Sequence, residues 1–226
     1  MNLLHICANP KPTEESVSKQ LSVAFISTLV EKFADVELNN VDLYQDPPPF
    51  LDYAAYRGLW MPVFNPGYEP VKEEKKAMAY AVRHAELFNK ADILILTMPM
   101  WNFSVPAIMK AWIDQVIAPN LTFAFAPKEG GGFETKPLHH VRKLVLLASS
   151  GGVYQEGDPR DALTAEVSAA FGFIGLTDLT IAWADGQNAV VFGDHEARKQ
   201  TAIEAAMEAA EEVAESALAE SAAAPA

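Results

Sequence analysis

A doubly wound α/β sandwich, with a five-stranded parallel sheet between two layers of helix, is the fold class this sequence predicts. Three observations carry it. Short apolar runs alternate with amphipathic segments from one end of the chain to the other. The run Ile93-Leu94-Ile95-Leu96 shows no polar alternation, as expected of a strand covered on both faces. The connections between such runs are too long for hairpins and suit right-handed crossovers through helices.

The elements follow in order. Leu3 to Cys7 is a short apolar strand, and Ser16 to Phe33 is a helix with Val17, Leu21, Phe25, Leu29 and Phe33 four residues apart. Val36 to Leu43 is a second strand, interrupted by Asn39 and Asn40. Tyr44 to Pro70 carries six prolines among Tyr53, Tyr56, Trp60, Phe64 and Tyr68, and is read as a long loop serving function or an interface. Val71 to Phe88 is amphipathic through Met78, Ala81, Val82, Ala85 and Phe88. The third strand begins at Ile93 and should end by Met98, because Pro99 cannot donate to a ladder. Val105 to Ile117 places Val105, Ile108, Trp112 and Val116 on one helical face. Lys143 to Ala148 and Leu176 to Trp183 supply strands four and five, with a helix from Asp161 to Phe171 between them. The last helix, Asp194 to Leu218, sets Ile203, Met207, Ala210, Ala214 and Ala217 against the core and a row of glutamates against solvent. Residues 1–220 are expected to form a single domain, and 221–226 a frayed tail.

Composition narrows the partners. A chain of 226 residues, half of them hydrophobic, can bury a large core. Seventeen basic against thirty acidic residues give a net charge of −13, which repels a phosphate backbone and argues against nucleic acid. No apolar run approaches the roughly 18 residues of a membrane span. With the lone Cys7, this makes a cytoplasmic protein the expectation. No metal is expected: His139 and His140 are adjacent in a loop without a companion carboxylate or thiol cluster. Gly130-Gly131-Gly132 lacks the Lys-Ser or Lys-Thr of a phosphate loop, and His5 reads as a satisfied core residue.

In such a fold, ligands bind where loops leave the carboxyl ends of the strands. The first of these loops, Ala8 to Val17, contains no glycine, so the dinucleotide fingerprint is missing. It offers instead the hydroxyls of Ser16 and Ser18 and the free amides of a helix start, a set suited to one phosphate monoester. Thr13 or Ser16 also qualifies as the cap of this helix. After strand three comes Pro99-Met100-Trp101-Asn102-Phe103, an aromatic and amide loop fit to hold a flat ring. After strand four, Ser149-Ser150-Gly151-Gly152 joins hydroxyls to two glycines that permit close backbone approach. A phosphoacceptor receiver shares this fold but needs an acidic pair and an aspartate where Asn9 and Thr97 stand. A one-electron carrier would fit the acidity but not the aromatic segment Tyr44 to Pro70.

Four patches carry a resemblance over nearly the full length: Ser16-Val17-Ser18-Lys19-Gln20-Leu21-Ser22, Met98-Pro99-Met100-Trp101-Asn102-Phe103, Ser149-Ser150-Gly151-Gly152, and Phe171-Gly172-Phe173-Ile174-Gly175-Leu176-Thr177-Asp178. They are similar to the flavodoxin-like NAD(P)H-dependent oxidoreductases, and among these to FMN-dependent NADH-azoreductases and related quinone reductases. The resemblance implies a flavodoxin-like three-layer sandwich, FMN as cofactor, and NADH or NADPH as electron donor. Two electrons would pass to a quinone or azo compound in a ping-pong cycle, in a homodimer with its active site at the subunit interface. By the same resemblance Ser16 and Ser18 bind the FMN phosphate, Pro99, Met100, Trp101, Asn102 and Phe103 hold the isoalloxazine and ribityl, and Ser149, Ser150, Gly151 and Gly152 meet the pyrimidine edge.

Asn102 would tune the ring, Tyr154 would orient or protonate the acceptor, and Phe123, Phe125 and Phe173 would wall the cleft. The chain departs from the usual azoreductase form at Asn9 and Pro10, where a serine is usual, at Trp101 for tyrosine, and at Ser150 for arginine. Its Ala-Asn-Pro-Lys-Pro loop is similar to one branch of quinone reductases and to the ancillary subunits of potassium efflux systems. An FMN-binding regulatory subunit of a membrane transporter is therefore the alternative.

Overall fold

The computed structural model describes residues 1–155 and 157–223. Strands β1 (Asn2–Cys7), β2 (Glu37–Asp42), β3 (Ile93–Pro99), β6 (Lys143–Ser149) and β7 (Leu179–Ala184) form one parallel sheet in the order β2-β1-β3-β6-β7. Because the side chains of a strand alternate, the central strands β1, β3 and β6 each feed two cores. Leu3, Ile93, Ile95, Val145 and Leu147 meet α1 (Val17–Glu31) and α7 (His195–Ala223) on one face. Leu4, Ile6, Leu94, Leu96, Leu144 and Leu146 meet α4 (Ala79–Lys90), α5 (Ala107–Val116) and α6 (Ala162–Phe173) on the other. Each fully buried leucine or phenylalanine contributes about 1.5–3 kcal/mol. The doubly covered sheet expected from the sequence is the one observed.

Several boundaries differ, each for a local reason. Strand β3 runs one residue past Met98, with Pro99 in register with Ser149. It is tolerated there because the next amide, Met100 N–H, makes the bond to the Ser149 carbonyl at 2.7 Å. The segment 71–88 is two helices, α3 (Lys72–Ala77) and α4, broken at Met78. Strand β7 starts at Leu179, after α6 has run on to Phe173 and a turn through Gly175 has closed it. Alanines 202, 206 and 210 form the contact line of α7, while Met207 faces outward, because small residues let α7 lie close against α1. The helix continues through Ala223; residues 224–226 of the expected tail lie outside the described residues.

Two structures were not expected. The aromatic segment 44–70 is not a bare loop: α2 (Tyr53–Phe64) opens on Asp52, whose side chain accepts from Ala55 N–H at 2.7 Å. Its Pro62 sits in the last turn, where only one intrahelical bond is lost. Tyr56, Trp60 and Phe64 follow at four-residue spacing and stack, with centroids 6.3 and 6.0 Å apart. The second addition is an antiparallel hairpin, β4 (Phe123–Pro127) and β5 (Phe133–Pro137), whose turn uses Gly130, Gly131 and Gly132 at positive φ.

His5 lies on β1 facing its neighbours, with Nδ1 2.8 Å from Asn40 Oδ1 on β2 and Nε2 2.8 Å from Thr97 Oγ1 on β3. The satisfied core histidine read from the sequence is present. Burial, its largest cause, lowers the His5 pKa to about 4. The unfolded chain takes up a proton near pH 6.5 and the fold only near pH 4, so the stabilisation is complete above about pH 6.5 and lost as pH falls through 4. The gap amounts to about 3 kcal/mol. Urea unfolding at about pH 7.5 and pH 4 should show that loss in the wild type and a flatter dependence in His5→Gln; equal slopes would refute the assignment.

Candidate functional site

The loops after β1, β3, β6 and β7 meet at the carboxyl edge of the sheet around a cleft of about 310 Å3. Among the residues lining it are Ser16, Pro99, Met100, Trp101, Ser149, Ser150 and Gly151, seven of those expected from the sequence. Asn9, Lys11, Glu15, Val17 and Gln187 line it as well. Topology brings them together: β1, β3 and β6 are adjacent and parallel, so their carboxyl ends emerge side by side.

The first loop is organised by Asn9, which is almost fully buried. Its amide nitrogen donates to Ser16 Oγ at 2.7 Å and to Ser18 Oγ at 3.1 Å, while its carbonyl oxygen accepts from Lys11 N–H at 3.0 Å. Ser16 caps α1, accepting from Lys19 N–H at 3.2 Å. With two donors already on Ser16 Oγ, its own hydrogen goes to Ser18 Oγ, 3.4 Å away. Ser18 is buried and also accepts from Asn9. The loop thus keeps one hydroxyl hydrogen to donate beside the first amides of α1, and the Lys11 side chain adds a cation while Glu15 adds an anion. Lys19 is turned to Asp42, 3.6 Å away.

The loop after β3 is a tight reversal. Trp101 N–H donates to Ser104 carbonyl and Ser104 N–H to Trp101 carbonyl, both at 3.1 Å. Between them Asn102 and Phe103 hold φ of 47° and 70°. Asparagine tolerates the left-handed region; phenylalanine at that angle is strained by about 1–2 kcal/mol. Trp101 and Phe103 stand half exposed, and of the two rings only that of Trp101 lines the cleft. Asn102 and Phe103 lie at the tip of the turn, outside the lining of the cleft.

The loop after β6 divides its hydroxyls between two tasks. Ser150 is committed to the protein: it donates to Gly152 carbonyl and accepts from Trp183 Nε1, both at 2.8 Å. Ser149 faces the cleft. Gly152 lies under Tyr154, and a Cβ there would stand 2.9 Å from the Tyr154 hydroxyl. The Tyr154 ring in turn meets Phe103 edge-on at 6.3 Å and lies under Arg160. Tyr154 and Gly152 therefore brace the Asn102-Phe103 turn from the side. Phe123, Phe125 and Phe173 form an edge-to-face cluster, with centroids 5.1 to 5.3 Å apart, at the base of the hairpin. Phe125 also lines a separate apolar cleft of about 480 Å3 with Phe64 and Phe133.

Sequence reasoning took Asn9 only as a departure and passed over Gln187. The signal for Asn9 is its place two residues after the β1 run, at the sheet edge. Gln187 had none, because its N–H reaches the Ser150 carbonyl only once β6 and β7 are paired. Among the described residues no helix is long and apolar enough to cross a membrane.

Known proteins share both sequence and architecture. A flavodoxin-like fold family model matches residues 1–215. The FMN-dependent NADH:quinone oxidoreductase 1 of Bacillus licheniformis is 35% identical over 191 residues, covering 83% of this chain and 88% of that protein. The corresponding enzyme of Gluconobacter oxydans is 33% identical over 189 residues, 82% of this chain and 89% of its own. Among solved structures, azoreductase AzrA superposes with a TM-score of 0.82 at 27% identity, over 94% of this chain and all of its own. An FMN-dependent NADH-azoreductase from Bacillus anthracis, solved with FMN, gives 0.79 at 26% identity over 95% of this chain and 100% of its own. With the parallel β2-β1-β3-β6-β7 sheet and the clustered loops already in place, this chain belongs to the flavodoxin-like family.

Proposed function

We propose that this protein is an FMN-dependent oxidoreductase that takes electrons from NADH and delivers them to quinones, with azo compounds as further acceptors. The observation that carries this reading is the convergence of three differently built loops on one cleft, each matched to a different part of FMN. Ser16 and Ser18, a bonded pair with one hydroxyl hydrogen left to donate, suit the terminal phosphate, and Lys11 supplies a positive charge beside them. Pro99, Met100 and Trp101 give an apolar and aromatic wall for a flat ring. Ser149 and Gly151 offer a hydroxyl and an uncluttered backbone to a polar ring edge. Ser150 and Gly152 act one step back, holding Trp183 and Tyr154 in place.

FMN, when bound, supplies a ring that accepts a hydride and passes on two electrons. The protein's part is to bind, orient and exclude water. Asn102 presents an amide at the tip of the turn, and Phe103 packs against Tyr154 beside the cleft. Tyr154 orients or protonates the acceptor through its phenol. One cleft serves donor and acceptor in succession, a ping-pong order, and NADPH is a second candidate donor. The exposed rings of Tyr53, Phe64, Phe125 and Phe133 support a homodimer, since a second copy would cover them. The working compartment on this reading is the cytoplasm.

The test is direct. Flavin-free protein is titrated with FMN without oxygen, NADH or NADPH is added, and a quinone is then admitted while the visible spectrum is followed. Bound flavin should bleach with a nucleotide and recover its absorbance with the quinone. Failure to bind FMN, or bound FMN that neither nucleotide bleaches, would refute the proposal.

A further inference from the structure

Resting on the FMN reading, the geometry points to Glu166 as a positioning residue that sets flavin affinity by latching the Trp101–Ser104 turn from helix α6. The turn needs such a latch. It places two successive non-glycine residues, Asn102 and Phe103, at positive φ, and such conformations persist only where the surroundings over-determine them. Its backbone supplies the reciprocal bonds between Trp101 and Ser104, and β6 supplies the Ser149 carbonyl to Met100 N–H. From the adjoining loop the edge of Tyr154 packs on Phe103.

Glu166 joins these from a helix sixty-two residues along the chain: its Oε2 accepts from Ser104 Oγ at 2.6 Å. A carboxylate acceptor makes this bond short and strong. Its value lies in where it pulls. Leu163 and Val167 anchor α6 in the core on either side of Glu166, so the carboxylate is a fixed point, whereas Ser104 closes a reversal that otherwise stands at the surface. The latch therefore ties a surface turn to the core.

The readout has two arms, with the folding transition recorded alongside. In flavin-free protein, amide hydrogen exchange at Trp101 and Ser104 reports the turn itself. Exchange should rise about tenfold in Glu166→Ala and Ser104→Ala, and no further in the double variant, the mark of a shared interaction. FMN titration should show dissociation constants raised about tenfold in each single variant, with the double variant again no worse than either. Glu166→Gln keeps an acceptor oxygen for the Ser104 hydroxyl and should restore FMN binding to within about twofold of wild type.

Unchanged exchange, additive effects, or raised exchange with unaltered FMN affinity would overturn the latch. So would an Glu166→Gln variant as weak as Glu166→Ala. Wild-type protein that takes up no FMN at all would overturn the FMN reading and this proposal with it, and is told apart by the blank wild-type titration.

Discussion

Replacing Ser16 and Ser18 together by alanine should abolish the preference of this protein for FMN over riboflavin. The two hydroxyls are buried, held by Asn9 and bonded to each other, which leaves one hydrogen of the pair to donate. A charge-assisted bond to a phosphate is worth about 1.5–3 kcal/mol, so FMN affinity should fall at least about tenfold. Riboflavin carries the same ring without the phosphate, and its affinity should stay within about threefold of wild type. Because Ser16 also caps α1, the double variant gives up about 1 kcal/mol of stability as well. Ser18→Ala alone leaves the cap in place and should still cost FMN about tenfold. Equal losses for the two flavins would place the phosphate elsewhere.

Trp112→Ala should bring the protein close to unfolding. Trp112 heads the fully buried side chains, set against Phe171 with centroids 6.5 Å apart. Truncating a buried tryptophan costs about 3–5 kcal/mol, against a typical total of about 5–15 kcal/mol. A second loss adds to the cavity. The indole N–H, a donor only, gives its hydrogen to His84 Nδ1 at 3.2 Å, which fixes the proton of His84 on Nε2 facing Asp46 Oδ2 at 3.0 Å. Burial, the largest cause, lowers the His84 pKa, so the imidazole is kept neutral and its orphaned nitrogen stays unpaired after truncation. Denaturant unfolding of the variant should show a stability about 3–5 kcal/mol below the wild type. A loss under about 1.5 kcal/mol would mean the core closes over the gap.

The sheet was legible because its signal is local. Ile93 to Leu96 must be covered on both faces whatever surrounds them, and the four-residue spacing of Leu21, Phe25 and Leu29 commits that segment to one buried helical face. The segment 44–70 was not legible in the same way. Its prolines are turn signals taken singly, yet only Pro62 falls inside α2, in its last turn, and the rings of Tyr56, Trp60 and Phe64 stack only once the helix exists. The hairpin β4–β5 was hidden for a similar reason. Its strands are short and half exposed, and Thr135 Oγ1 donates to the Phe173 carbonyl at 2.6 Å only across thirty-eight residues of chain.

The same division runs through the site. Sequence by itself determined the residue types at the ends of the strands: the hydroxyls of Ser16 and Ser18, the apolar and amide turn from Pro99 to Phe103, and the serine-glycine turn from Ser149 to Gly152. Strand periodicity and the parallel crossover rule were enough to set all three on one edge. Tertiary structure alone decided how the work is shared among them. Ser150 is spent on Trp183 and Gly152, Asn9 is the hub that ties Ser16 to Ser18, and Glu166 reaches in from α6 to Ser104. The physical reason is that burial and periodicity are properties of a segment, whereas the saturation of a hydrogen-bonding group depends on which distant residue packing brings within about 3 Å.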